Sequence, residues 1–187
     1  MSFSINEFIG EIDKSGVSRT DLFDVFFAGN ANLKYRAKSV GLPGRSINAL
    51  EYFELGPEYK FGSFSMFGDI TIEFICDENL SERSYFLKWQ DSIIGDYRDG
   101  QSTLGKTFLQ PSYYKDYVKT IDINVYAPSG KLAQEVKIIE AFPTVVNEMV
   151  YSWDTSEHAI LSVSFAYRYF SDKGGAERIT AENNIVT

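Results

Sequence analysis

The chain has 187 residues, 44% apolar and 16% aromatic, enough to build one domain around a real core and too apolar to stay disordered. Its single cysteine, Cys76, excludes an internal disulfide, and no run approaches the roughly 20 apolar residues of a membrane helix. A formal charge of −8 opposes tight binding to a phosphate backbone.

The opening stretch MSFSINEFIGEIDKSG lacks a basic start and a long apolar block, so no secretory signal is expected. Ile5, Phe8, Ile9 and Ile12 have the spacing of a short amphipathic helix. Leu22 to Phe27 predicts a strand, and Leu33 to Val40 a second, broken by Gly41-Leu42-Pro43-Gly44. Ser46 to Lys60 reads as one or two strands interrupted at Gly56-Pro57, and Gly62 to Phe67 is ambiguous. Asp69 to Cys76 is a strand, with Ile70, Ile72 and Phe74 opposing Thr71, Glu73 and Ile75. Cys76 reads as a strand residue, not a reactive thiol.

Asn79 with Glu82 three residues on predicts a capped helix over about 79–94, with Tyr85, Phe86, Trp89 and Ile93 as its apolar stripe and Glu82 toward water. Residues 95–117 show no periodicity and read as a long tyrosine-rich surface loop. Val118 to Ala127 and Leu132 to Phe142 predict two strands around the turn Pro128-Ser129-Gly130. Met149 to Trp153 and Ala159 to Phe170 form a last expected pair. In the final strand Leu161, Val163, Phe165, Tyr167 and Tyr169 point one way, and Ser162, Ser164, Ala166 and Arg168 the other. The second face is built mainly of small groups. Residues 171–187 carry no stripe and read as an extended or flexible tail.

Seven to nine strands with one core helix imply a mainly β fold: an antiparallel sandwich or barrel over 1–170 with the helix covering an edge or open end.

Chemistry-bearing motifs are sparse. His158 is the single histidine and reads as a solvated loop residue; no Gly-x-Ser-x-Gly elbow or phosphate-binding loop accompanies it. One His and one Cys leave a metal site short of ligands, and no cofactor is expected. The carboxylate groups Glu51/Glu54/Glu58, Asp77/Glu78 and Asp96/Asp99 fit acid–base work on a glycan or plain solvation. The loop tyrosines Tyr97, Tyr113, Tyr114 and Tyr117 fit sugar binding or a subunit contact, and the contact is favoured.

In order along the chain stand Asp21-Leu22-Phe23-Asp24-Val25, Gly41-Leu42-Pro43-Gly44, Phe67-Gly68-Asp69-Ile70-Thr71-Ile72 and Phe86-Leu87-Lys88-Trp89-Gln90-Asp91. Phe142-Pro143-Thr144-Val145-Val146-Asn147-Glu148 and Trp153-Asp154-Thr155-Ser156 come last. In that order and spacing the chain resembles the tail tube proteins of contractile-tailed, T4-like bacteriophages over roughly residues 5 to 170. The resemblance implies a non-enzymatic structural subunit whose hexameric rings stack into a hollow tube inside a contractile sheath. Its implied partners are further copies of itself, the tail sheath, baseplate tube-initiator proteins, the tape-measure protein, and genomic DNA in transit without specific binding. The implied place is the virion tail, assembled in the host cytoplasm.

On that reading Ser162, Ser164, Ala166 and Arg168 are candidate lumen residues. Leu42, Pro43, Gly44, Glu51, Glu54, Tyr113 and Tyr114 are candidate inter-subunit contacts, and Trp89, Phe142, Pro143 and Trp153 candidate core or junction residues. The alternatives are a baseplate tube-initiator or injection-system tube subunit and, from another class, a carbohydrate-binding β-sandwich.

Overall fold

The computed structural model describes residues 16–28, 33–53, 56, 58–94, 111–154 and 157–174. The expected helix over Ile5 to Ile12, most of the 95–117 loop, Glu54 and residues 175–187 lie outside the described residues.

The described strands are β1 (Phe23–Phe27), β2 (Ala37–Val40), β3 (Arg45–Tyr52), β4 (Tyr59–Phe67), β5 (Ile70–Ile75), β6 (Lys119–Tyr126), β7 (Leu132–Val146), β8 (Ile160–Ala166) and β9 (Tyr169–Gly174). Between β5 and β6 come helices α1 (Ser81–Ile94) and α2 (Tyr114–Tyr117). All pairings are antiparallel, in the order β1-β6-β7-β8-β5-β2, with β9 also on β7 and β3-β4 a separate ribbon. The chain is therefore mainly antiparallel β, as its alternation implies.

β7 is long enough to serve two sheets. Gln134 to Ile138 pairs with β6 and β9, whereas Phe142 to Val146 pairs with β8. The handover falls at Glu140, whose φ of +57° is left-handed, within a register shift against β6. Such a bulge bends the strand and re-aims the residues beyond it. The Glu140 carboxylate accepts from Arg168 Nη1 at 3.3 Å and from the Tyr114 hydroxyl at 3.1 Å, which offsets a backbone cost on the order of 1–2 kcal/mol.

Between the two sheets the alternation delivers one buried face per strand: Val25 and Phe27, Ile70, Ile72 and Phe74, Ile121 and Ile123, Leu161, Val163 and Phe165. α1 closes this core with Phe86 and Trp89. Phe86 packs against Phe74 at a centroid distance of 4.9 Å and against Phe27 and Phe165 at 5.8 and 5.7 Å.

Several sequence expectations are corrected. Asp77, not Asn79, caps α1: its carboxylate accepts from the Ser81 amide at 2.8 Å and the Ser81 hydroxyl at 2.6 Å. Those bonds hold the Asp77 carboxyl below its ordinary pKa. Glu82 is buried instead of solvated because it accepts from the Asp77 amide at 3.0 Å and lies 3.6 Å from Arg36. Only Ala37–Val40 of the expected second strand joins a ladder. The expected final strand splits after Ala166: the Arg168 amide donates to the Ile139 carbonyl, and β9 continues on the other sheet, taking Ser171 to Gly174 with it. Met149 to Trp153 is not a strand, because both edges of β8 are already occupied by β5 and β7.

Candidate functional site

The β3–β4 ribbon lies outside the core. Leu50 faces Phe61 and Tyr52 faces Tyr59, so these four side chains share one surface, and each is more than half exposed. The opposite surface carries Glu51 against Lys60 at 3.2 Å, with Glu58 at 3.5 Å from the same Lys60. A lone two-stranded ribbon is marginal in water, and an apolar face of this size on it is unusual for a free monomer. Leu42, Pro43 and Gly44 form the bend from β2 into this ribbon; Leu42 and Gly44 are exposed and Pro43 half-buried. Glu51 stands on the ribbon's polar side.

The small-residue face of β8 continues across β5. Ser162 lies opposite Glu73 and Ser164 opposite Thr71, whose hydroxyl is 3.0 Å from that of Ser164. The Ser39 hydroxyl donates to Glu73 at 2.8 Å, and the Thr144 hydroxyl donates to the Ser164 carbonyl at 3.1 Å. The result is a short-side-chain, hydroxyl-rich strip with one carboxylate. Ser162, Ser164 and Ala166 are half-exposed on it. Arg168 leaves this alternation because β8 has already ended, and its guanidinium turns to Glu140.

Residues expected in three different roles meet at the β7 bulge. Tyr114 and Arg168 both bind Glu140, and the Tyr114 ring contacts Tyr117, which in turn packs on Phe142 at 5.5 Å. Burial and the adjacent Glu140 push the Tyr114 hydroxyl above its ordinary pKa. Tyr113 is exposed beside it. Trp89 donates its indole N–H to the Tyr117 carbonyl at 2.7 Å and lies 4.4 Å beneath the Lys119 ammonium. Gln90 donates to the Pro143 and Thr144 carbonyls at 3.5 and 3.2 Å, seaming α1 to the outer edge of β7. Trp153 does not join this seam. It is fully exposed, at 104% of its reference area, in the segment between β7 and β8 that has no ladder to hold it.

Sequence reasoning missed one buried polar cluster. Asp24, only 5% exposed, accepts from Asn124 at 2.8 Å and the Tyr126 hydroxyl at 2.9 Å, with Lys34 at 3.3 Å. The one signal was an acid in the middle of the apolar run Phe23-Asp24-Val25-Phe26-Phe27.

Of the carboxylates that had suggested glycan chemistry, Asp77 caps a helix and Glu51 and Glu58 share Lys60, while Glu54, Asp96 and Asp99 lie outside the described residues. His158 is exposed. Among the described residues no group of three His, Cys, Asp or Glu side chains gathers to hold a metal, and no helix is long and apolar enough to cross a membrane.

Comparison with known proteins adds to this geometry. Residues 1–173 match the family model described as phage tail tube protein. The tail tube protein gp19 of Enterobacteria phage T4 is 26% identical over 157 residues, covering 82% of this chain and 90% of that protein; gp19 of phage T6 is similar to the same extent. Among solved structures, a chain of the sheath–tube complex of an extracellular contractile injection system (PVC), in its extended state, superposes with a TM-score of 0.64 at 18% identity. That match covers 92% of this chain and 99% of the other. A chain of the anti-feeding prophage tube-terminating cap gives 0.63 at 14% identity over 85% and 92%.

Proposed function

The chain belongs to the phage tail tube protein family, and we propose that it builds the tube of a contractile tail as hexameric rings of identical copies stacked around a hollow axis. Its role is structural, without catalysis. The observation that carries this reading is the exposed apolar face of the β3–β4 ribbon, Leu50, Tyr52, Tyr59 and Phe61, which finds no cover within the described chain. Such a surface needs a partner, and a repeating assembly supplies an identical one on every copy.

The borders of the sheets support the same reading. Among the described residues β1, β2 and β9 each pair with a strand on one side only, and closing borders of this kind against other copies removes edges that otherwise invite uncontrolled pairing. The hydroxyl-rich strip of Thr71, Ser162 and Ser164 is the proposed lumen wall, where short side chains offer little grip and Glu73 repels phosphates. Six copies at −8 each carry −48 per ring. DNA and the tape-measure protein would pass along that wall unbound. The outer surface would meet the sheath, and the tube end a baseplate initiator, placing the protein in the virion tail after assembly in the host cytoplasm.

The test is sedimentation of the purified full chain against a Leu50→Asp/Phe61→Asp variant. The parent is expected to sediment as rings or longer stacks, and the variant as a folded protomer with the same thermal midpoint. Assembly of the variant at the parent's concentration would overturn the role given to the ribbon.

A further inference from the structure

The strand register fixes where the exposed apolar residues lie relative to one another. β5 pairs with β8 from Ile70↔Phe165 at one end to Ile75↔Ile160 at the other. The β3–β4 ribbon enters β5 at the Ile70 end. The segment between β7 and β8 enters β8 at the Ile160 end, about 17 Å away along the strand. That segment carries a second cluster of uncovered apolar side chains: Trp153 fully exposed, Val150 at 86%, and Tyr151 more than half exposed. The cluster is anchored on both sides. Arg83 donates to the Asn147 carbonyl at 3.2 Å, the Asn147 amide to the Ser162 carbonyl at 3.0 Å, and the Cys76 amide to the Ala159 carbonyl at 3.0 Å. Within it the Asp154 amide donates to the Ser152 hydroxyl at 3.2 Å, forming a local turn that carries Trp153.

We infer that Trp153, with Tyr151 and Val150, is the seat for the apolar face of the β3–β4 ribbon of a second copy placed head to tail along the strand direction. This rests on the self-assembly reading above and adds the residues that receive the ribbon. A contact that repeats in one direction needs two different, complementary surfaces at opposite ends of the subunit, and these two are so placed. Charge is consistent with the same pairing. The Trp153 end carries Asp77, Glu78, Glu148, Asp154 and Glu157 against Arg36, Lys38 and Arg83, a net negative balance, so two such ends facing each other would repel. The ribbon is balanced, with Arg45 and Lys60 against Glu51 and Glu58 among its described residues, and meets that acidic end without penalty. Trp and Tyr also yield the most binding per side chain when an apolar partner covers them.

Disulfide trapping tests the pairing in the full chain with Cys76→Ser. Phe61→Cys and Trp153→Cys are made separately, mixed under assembly conditions and mildly oxidised; both sites are exposed, so thermal midpoints should match the parent. The expected product is a mixed dimer of the two variants, and a ladder of covalent oligomers when both cysteines are in one chain. Trp153→Glu should raise the concentration needed for assembly at least tenfold without lowering the thermal midpoint. Assembly with no Phe61→Cys to Trp153→Cys link, or links only between two Trp153→Cys chains, would overturn this seat while leaving the tube reading standing. A parent chain that never assembles would overturn both.

Discussion

At the residue scale, Glu140 shows how a single side chain can hold a strained backbone in place. Its left-handed φ costs a β-branched residue most and glycine nothing, while its carboxylate ties Arg168 and Tyr114 to the bulge. Glu140→Gly is therefore expected within about 1 kcal/mol of the parent in urea unfolding, strain relief offsetting the lost contacts. Glu140→Val should lose about 2 kcal/mol or more. Asp122 makes the opposite case. One of its carboxylate oxygens is buried with no hydrogen-bond donor, and Lys137 is 3.9 Å away. Burial pushes its pKa above the ordinary aspartate value. A carboxyl that binds its proton more tightly folded than unfolded costs stability above its folded pKa, and that cost disappears as pH falls through that value and then the unfolded one. Asp122→Asn should thus raise the melting temperature relative to the parent at pH 7 and lose that advantage below about pH 4. Neither Glu140 nor Asp122 was visible in the sequence as special, since each occupies an ordinary place in an alternating strand. Backbone sign and donor supply are properties of the folded neighbourhood.

Elements were legible wherever one face is buried and the other wet. β8 is the clearest: Leu161, Val163 and Phe165 inward, Ser162 and Ser164 outward, as the alternation states. The β3–β4 ribbon was only half legible because neither face enters the core and a register irregularity between Ile47 and Ala49 breaks its parity. Met149, Tyr151 and Trp153 alternate like a strand, yet a strand also needs a free edge beside it, and none was left on β8. For α1 the end at Ile94 was right and the start and cap were not: the helix begins at Ser81, and Asp77 reaches Ser81 from outside the spacing that pointed to Asn79. Asp77→Ala should lower the melting temperature at neutral pH. Because the folded carboxyl sits below its unfolded pKa, its contribution is present above about pH 4 and fades as pH falls through the folded value, so parent and variant should converge in acid. Phe86→Ala, which opens the aromatic cluster where α1 meets both sheets, should cost about 3–5 kcal/mol.

For the whole molecule, the core lies within the protomer, and the proposed assembly would use apolar surfaces left uncovered among the described residues. Copies that each carry −8 repel at long range, while contacts through the ribbon's apolar face, as proposed, would be short-ranged. Raising salt from about 0.01 M to about 0.15 M shortens the screening length from roughly 30 Å to roughly 8 Å, so assembly monitored by light scattering should strengthen over that range. A polyanion-binding module would weaken instead. The family was legible because short landmarks stand in order along the chain; the exposure of Trp153 was not, because a tryptophan among alternating apolar residues reads as core. Negative-stain images of the purified protein at high concentration bear on the hollow assembly most directly. Rings with a central hole, some stacked into short tubes, are expected, and a field of compact single protomers under every salt condition would contradict it.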